Sequence, residues 1–256
     1  MKNIISITIG LLICAATLKA QNVRFPPEGV IEYEKSINMY AIMKKTADQS
    51  NDSYMRDYYD NYRKSNPQFK VLQSTLSFSN DKTLFTPIEP TEAPRGFFND
   101  PMAEQKSTVY TDIANGLITS QKKVYEETFL LKDSLRKINW KLTSEVRTIA
   151  GYECRRANAL ILDSIYVVAF YTDKIPVSGG PESFNGLPGM ILGVALPHEN
   201  ITWFAKTVTD KSIPPTDLKV PAKGKAVNYN TLKTTINGAL KDWGAYAQAA
   251  LKAFLL

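Results

Sequence analysis

Residues 153–172 read ECRRANALILDSIYVVAFYT, and this stretch decides the fold. Two strand-like runs, Glu153 to Leu162 and Ile165 to Thr172, are joined by Asp163-Ser164. So short a joint allows only a tight reversal, and the two runs pair antiparallel. Working outward, the same grammar repeats. Asn115-Gly116, between Thr108–Ile113 and Leu117–Leu131, is the strongest short hairpin signal in the chain. Phe69 to Phe78 alternates, switching faces through an irregularity, and returns after Ser79-Asn80-Asp81-Lys82 as Thr83–Thr86. Further strands are read at Gly29–Tyr33, Ile138–Leu142, Thr148–Ile149 leading to Gly151, Met190–Leu196 and Ile201–Val208. Consecutive strands with short turns predict an antiparallel meander of roughly eight to eleven strands.

Helix appears in two places. Over residues 37–64, Met39, Ile42 and Met43 share one face, as do Tyr54, Tyr58 and Tyr62, with a polar break at Ser50-Asn51-Asp52-Ser53. The tyrosine row reads as a half-polar stripe laid on a sheet, or as a sugar-stacking surface. Beyond Pro214, Pro215 and Pro221, the positions Leu232, Ile236, Leu240, Trp243, Ala247, Leu251 and Phe254 step by fours and threes. That spacing predicts one amphipathic helix over 230–256, docked on the sheet or offered to a partner or membrane surface. Residues 87–101 hold four prolines and Gly96 and read as a loop, with Phe97 and Phe98 as a lid or as core residues.

The first twenty residues read as a signal peptide: Lys2, an apolar run from Ile4 to Leu18, and Ala20 before Gln21. A run of about 15 residues is short of the roughly 20 a spanning helix needs. Cys14 raises lipoprotein processing as a rival, but Ile13 stands where a small residue is wanted. Cleavage removes Lys2 and Lys19 and takes the formal charge from +6 to +4. That excess is spread along the chain, so nucleic acid is a poor partner. No second stretch is long and apolar enough to span a bilayer as a helix. The expectation is an exported protein, periplasmic or associated with an outer membrane.

Catalytic chemistry finds little to use. His198 is the single histidine, in a Pro197-His198-Glu199-Asn200 turn. After cleavage Cys154 is the remaining cysteine, either a core residue or a thiol activated by Arg155 and Arg156. One His and one Cys do not make a zinc site, so no metal, cofactor or catalytic residue is assigned. Paired carboxylates for glycan hydrolysis stay open as an alternative, requiring two acids roughly 5–10 Å apart in a cleft.

The second informative stretch is Gly179 to Leu192, where glycines and prolines build a stiff, bent segment with Phe184 and Leu187 thrust out of the bend. Upstream stand Trp140, then Ile149-Ala150-Gly151-Tyr152-Glu153-Cys154-Arg155-Arg156-Ala157, then Phe170-Tyr171-Thr172 before Ile175-Pro176. Gly180, Pro181, Phe184 and Gly186-Leu187-Pro188-Gly189 follow, then Met190. In these elements the chain resembles the GLPGLI family of bacterial envelope proteins, over about residues 29–208. The family names no established catalytic residue, and none is carried over.

The strand order is also similar to the half-barrels of periplasmic lipoprotein carriers. That similarity implies an α+β fold, a strongly curved antiparallel sheet with helices on its concave face and the terminal amphipathic helix. It implies an apolar groove lined by Trp140, Tyr171 and Trp203, its mouth shaped by the bend. The expected organisation is a signal peptide over 1–20 and a sheet domain over 21–213, interrupted by helices near 37–64. A linker over 214–229 and the helix over 230–256 complete it. The expected function is a non-enzymatic binding or accessory protein, taking a lipid, a lipidated segment or an outer-membrane partner in the groove. The alternatives are a structural accessory of an outer-membrane transporter or secretion complex, docking through the bend, and a carboxylate glycan hydrolase.

Overall fold

Strand β1 (Glu28–Asn38) stands near the middle of the sheet and starts both of its halves. The structure, a computed structural model, describes residues 26–49, 53–90, 100–104 and 106–256. Expectations for the first twenty residues, Cys14, Phe97 and Phe98 fall outside them, as does the Ser50–Ser53 break except for Ser53.

On one side of β1 the order runs through β2 (Phe69–Ser79), β3 (Lys82–Ile88), β4 (Ser107–Asp112), β5 (Leu117–Val124) and β6 (Glu127–Ser134) to β12 (Lys225–Val227). On the other it runs through β11 (Ile201–Thr209), β10 (Met190–Leu196), β9 (Ile165–Thr172) and β8 (Tyr152–Ile161) to β7 (Lys141–Ile149). The described sheet thus has twelve strands, with β12 and β7 as free edges, so it is open. It is mixed rather than wholly antiparallel, because β12 pairs parallel with β6. That strand lies inside the stretch expected to be a linker.

Turn chemistry explains most of the strand ends. Gly116 (φ +65°) closes the β4–β5 hairpin, as Asn-Gly requires, and Leu162 and Asp163 take positive φ between β8 and β9. The run expected as one strand from Leu117 to Leu131 is instead a hairpin reversing at Tyr125-Glu126. The predicted irregularity in β2 is absent: its register with β1 is unbroken from Phe69 to Ser79. Even-numbered residues therefore face inward throughout, leaving Phe69 and Val71 exposed.

Four helices accompany the sheet among the described residues. In α1 (Met39–Gln49), Met39, Ile42 and Met43 are buried in the cluster that holds Leu72, Phe184, Leu187 and Trp203. In α2 (Ser53–Ser65) no residue is fully buried; Tyr58 and Tyr62 rest against that cluster while Tyr54 is exposed. The single helix expected over 230–256 is two, α3 (Tyr229–Ala239) and α4 (Gly244–Leu255). Asn228 caps α3 through the Thr231 amide (2.8 Å). Leu232, Ile236, Leu240, Ala250 and Leu255 bury against Val124, Phe129 and Leu131 of β5 and β6. Trp243, inside the predicted stripe, lies at the break and stays half exposed against Tyr125 and Tyr246.

Candidate functional site

The bend between β9 and β10 is a folded corner held by its own hydrogen bonds. The Gly179 amide donates to Val177 (2.8 Å), that of Met190 to Ile175 (3.0 Å) and that of Ile191 to Gly179 (2.8 Å). The Trp140 indole N–H donates to the Asn185 carbonyl (2.9 Å), and the Gly186 amide to Ser178 Oγ (3.2 Å). Tyr33, from β1, donates its hydroxyl to the Ile191 carbonyl (2.5 Å). Gly186 and Gly189 adopt φ of +90° and +139°, which side chains resist. Gly180 and Pro181 are buried, and Pro188 is exposed.

Phe184 and Leu187 do not project from this corner. Both are 2 % exposed and point into the core, where Phe184 meets Trp203 edge to face at 6.0 Å. A fixed reversal between two buried strands leaves its apolar side chains only the core to enter. The corner's outward atoms belong to Ser183, Asn185 and Gly186, which wall a groove of about 960 Å³. Ile118, Leu131, Leu135, Ile138 and Leu162 supply apolar surface there, and Ser120, Lys122, Asp133 and Arg136 supply polar groups. A smaller cavity of about 70 Å³ adjoins it, lined by Lys35, Lys122, Glu182, Phe184, Trp203 and Phe254 among others. Lys122 and Leu256 wall both.

Two buried lysines on the inward-facing positions are the unusual feature. On β1 the inward residues are Ile31, Tyr33, Lys35 and Ile37; on β5 they are Ile118, Ser120, Lys122 and Val124. Lys35 stands opposite Trp203 across the β1–β11 ladder, its ammonium 4.7 Å from the indole centroid. It donates to the Glu104 carbonyl (2.5 Å) and lies 4.0 Å from the Glu182 carboxylate. Burial lowers its pKa, a fall opposed by Glu182 and Glu104. Lys122 is 6 % exposed, and its ammonium has no hydrogen bond or ion pair among the described residues. Burial pulls its pKa down to about 8, against the attraction of Glu182 and with the help of Arg136 and Lys35. Among the described residues Ser74 Oγ, Ser120 Oγ and Trp203 Nε1 are buried without a partner.

The three aromatics expected to line one groove meet in one core cluster. Trp203 borders the smaller cavity, Tyr171 is core at 3 % exposure, and Trp140 packs on the core while holding the corner. Sequence reasoning missed Lys35 and Lys122. For Lys35 the signal was present, since it falls in phase with Ile31, Tyr33 and Ile37. Gln121-Lys122-Lys123 carries no comparable mark. Of the two readings of Cys154 the core residue holds: it is fully buried and its thiol is pushed up to about 12 by burial, not lowered by arginine. Arg155 instead faces Asp173 and Arg156 pairs with Glu145. His198 is exposed in a turn beside Tyr166. Among the described residues, no three His, Cys, Asp or Glu side chains are grouped to hold a metal ion, and no helix is long and apolar enough to cross a membrane.

A family model described as "Protein of unknown function (Porph_ging)" matches residues 160–193, from the end of β8 through the corner into β10. The match supports the GLPGLI-type resemblance read from the sequence. No curated protein matches the chain. Among solved structures, PNGF-II in its C2 space group is similar with a TM-score of 0.51 and 16 % identity, over 88 % of this chain and 33 % of that one. The P21 form gives 0.51 and 18 %, over 82 % and 33 %. This chain therefore spans about a third of the length of those proteins. Likeness at such identity shows the fold alone.

Proposed function

We propose that this chain is an exported envelope protein that binds an apolar ligand without transforming it, in the groove beside the corner. The carrying observation is the groove itself: about 960 Å³, walled on one side by Ser183, Asn185 and Gly186 of the family segment. That volume lies at the upper end of ordinary ligand sites. Export rests on the first twenty residues of the sequence.

The groove needs a curved sheet, and chain reach supports one. Residues 135–140 join β6 to β7, ten strand steps apart in the sheet order. Flat, the two strands would stand about 48 Å apart. The connecting backbone can span at most about 25 Å. The sheet must therefore curl until its ends approach, which gives the half-barrel. Helices α3 and α4 then lie on the concave side, because the residues they cover, Val124, Phe129 and Leu131, share the inward face with Lys122.

Two rival readings fare worse. Docking through the bend lacks a surface, since Phe184 and Leu187 are buried. Glycan hydrolysis needs a carboxyl group held protonated; burial raises that of Asp100, but Asp100 does not wall the groove. Asp133, in the groove, instead accepts hydrogen bonds from the Tyr229 and Ser134 amides (2.8 Å each), which hold its carboxyl below the usual range.

Native mass spectrometry of the full chain, purified gently from its own envelope, tests the proposal. An adduct in the mass range of a lipid, removed by organic extraction, is the expected result. A bare protein mass, together with failure to bind a neutral apolar dye, would sink it.

A further inference from the structure

We infer that the groove takes a single-chain anionic amphiphile, a long-chain fatty carboxylate, with its head at Lys122 and Ser120 and its chain along Ile118, Leu131, Leu135 and Ile138. This rests on reading the groove as an apolar-ligand site, and adds to it the charge and shape of the occupant. The first support is the charge balance. Lys35 and Lys122 are buried ammonium groups, Arg136 is a half-buried guanidinium, and Glu182 is the carboxylate near the two lysines. Of the other local anions, Glu104 is engaged by Lys70 (2.9 Å) and Lys106 (3.5 Å), Asp133 by two backbone amides and the Leu256 carboxylate by Ser183 Oγ, while Asp163 stands on the exposed rim of the groove. Glu182 lies 4.0 Å from Lys35, which leaves Lys122, a largely buried cation on the groove wall, without a counter-ion in contact. Such a charge is costly unless an anion completes it.

The second support is independent of charge. Ser120 lies two residues before Lys122 on the same face of β5, its hydroxyl buried and unpartnered, and both residues wall the groove. An ammonium and a hydroxyl side by side match the two oxygens of one carboxylate. The apolar wall beyond them gives an alkyl chain its driving force.

The test uses the full chain, stripped of bound lipid, and the neutral dye N-phenyl-1-naphthylamine. Myristate and methyl myristate compete for the dye in wild type and in Lys122→Met and Lys122→Gln, with folding checked by circular dichroism. Wild type should be displaced at least tenfold more readily by the acid than by the ester, and both variants should lose that preference while keeping ester displacement. Equal displacement of wild type by acid and ester overturns the inference but leaves the groove reading standing. The same holds if dodecyl phosphate outcompetes the acid. No dye or acid binding by folded protein overturns both.

Discussion

A Cβ atom on Gly189 would stand 2.1 Å from the carbonyl oxygen of Thr172, the last residue of β9. The corner therefore closes on a backbone contact that only glycine allows, and its φ of +139° adds a second bar to any side chain. Gly189→Ala should cost about 3 kcal/mol or more, enough to remove most soluble protein, since strain and backbone overlap act together. Gly186→Ala is the control. Its φ of +90° is strained, but the nearest atom to its Cβ is Trp140 Nε1 at 3.6 Å. A loss of about 1–2 kcal/mol is expected there. Urea denaturation of both variants measures the contrast, and equal losses would refute the role given to the Thr172 contact.

Leu187→Asp separates a core corner from a docking surface. Leu187 is 2 % exposed within the cluster that joins α1, β8–β11 and Leu256. A carboxylate placed there has no cation in contact, and a loss above about 4 kcal/mol follows from burying it. The variant should be insoluble or unfolded by circular dichroism. A folded variant that merely loses an envelope partner would revive the docking reading.

Much of this architecture could be read from the residues, and the misses have physical causes. Asn115-Gly116 and Asp163-Ser164 disclosed their hairpins because turns with positive φ favour those residue types. Tyr125-Glu126 makes the same reversal with Tyr125 at φ +52° and no glycine, so Leu117–Leu131 looked continuous. The apolar stripe over 232–254 hid the break between α3 and α4, because both helices turn the same kind of face to the same cluster. The corner was legible as rigid, but direction was not. Rigidity follows from local glycine and proline geometry, whereas the burial of Phe184 and Leu187 depends on β1 and β11 packing above them. Lys122 was hidden for the same reason, since Gln121 and Lys123 beside it are as polar as it is, whereas Lys35 was legible from its phase with Ile31, Tyr33 and Ile37.

Cys154 should be inert in the folded protein. Its thiol is fully buried and pushed up to about 12, with burial as the main cause. At pH 8 ionisation alone should slow reaction with a disulfide reagent about a thousandfold relative to the unfolded chain. Labelling with an aromatic disulfide, with and without urea, reads this directly. Rapid labelling without denaturant would mean that β8 opens or that the thiol is activated.

Lys122 gives a pH signature whose sign is fixed by linkage. Its folded pKa of about 8 lies below the ordinary lysine value, burial being the chief cause, Glu182 opposing it, and Arg136 and Lys35 adding to it. Below pH 8 both folded and unfolded chains carry the proton, and the folded state bears the full cost of the buried charge. Between about pH 8 and 10.5 the unfolded chain binds more protons than the folded one, so stability attributable to this residue rises with pH. The rise amounts to about 3 kcal/mol over that window. Lys122→Met keeps the length and removes the charge. In lipid-free protein it should be more stable than wild type at pH 7, and the gap should shrink by pH 10. Urea unfolding at both pH values measures it, and taking the difference between the two proteins cancels the tyrosines, which titrate in the same range. A variant less stable than wild type at pH 7 would mean that the folded protein already neutralises Lys122, and would count against an anion bound there.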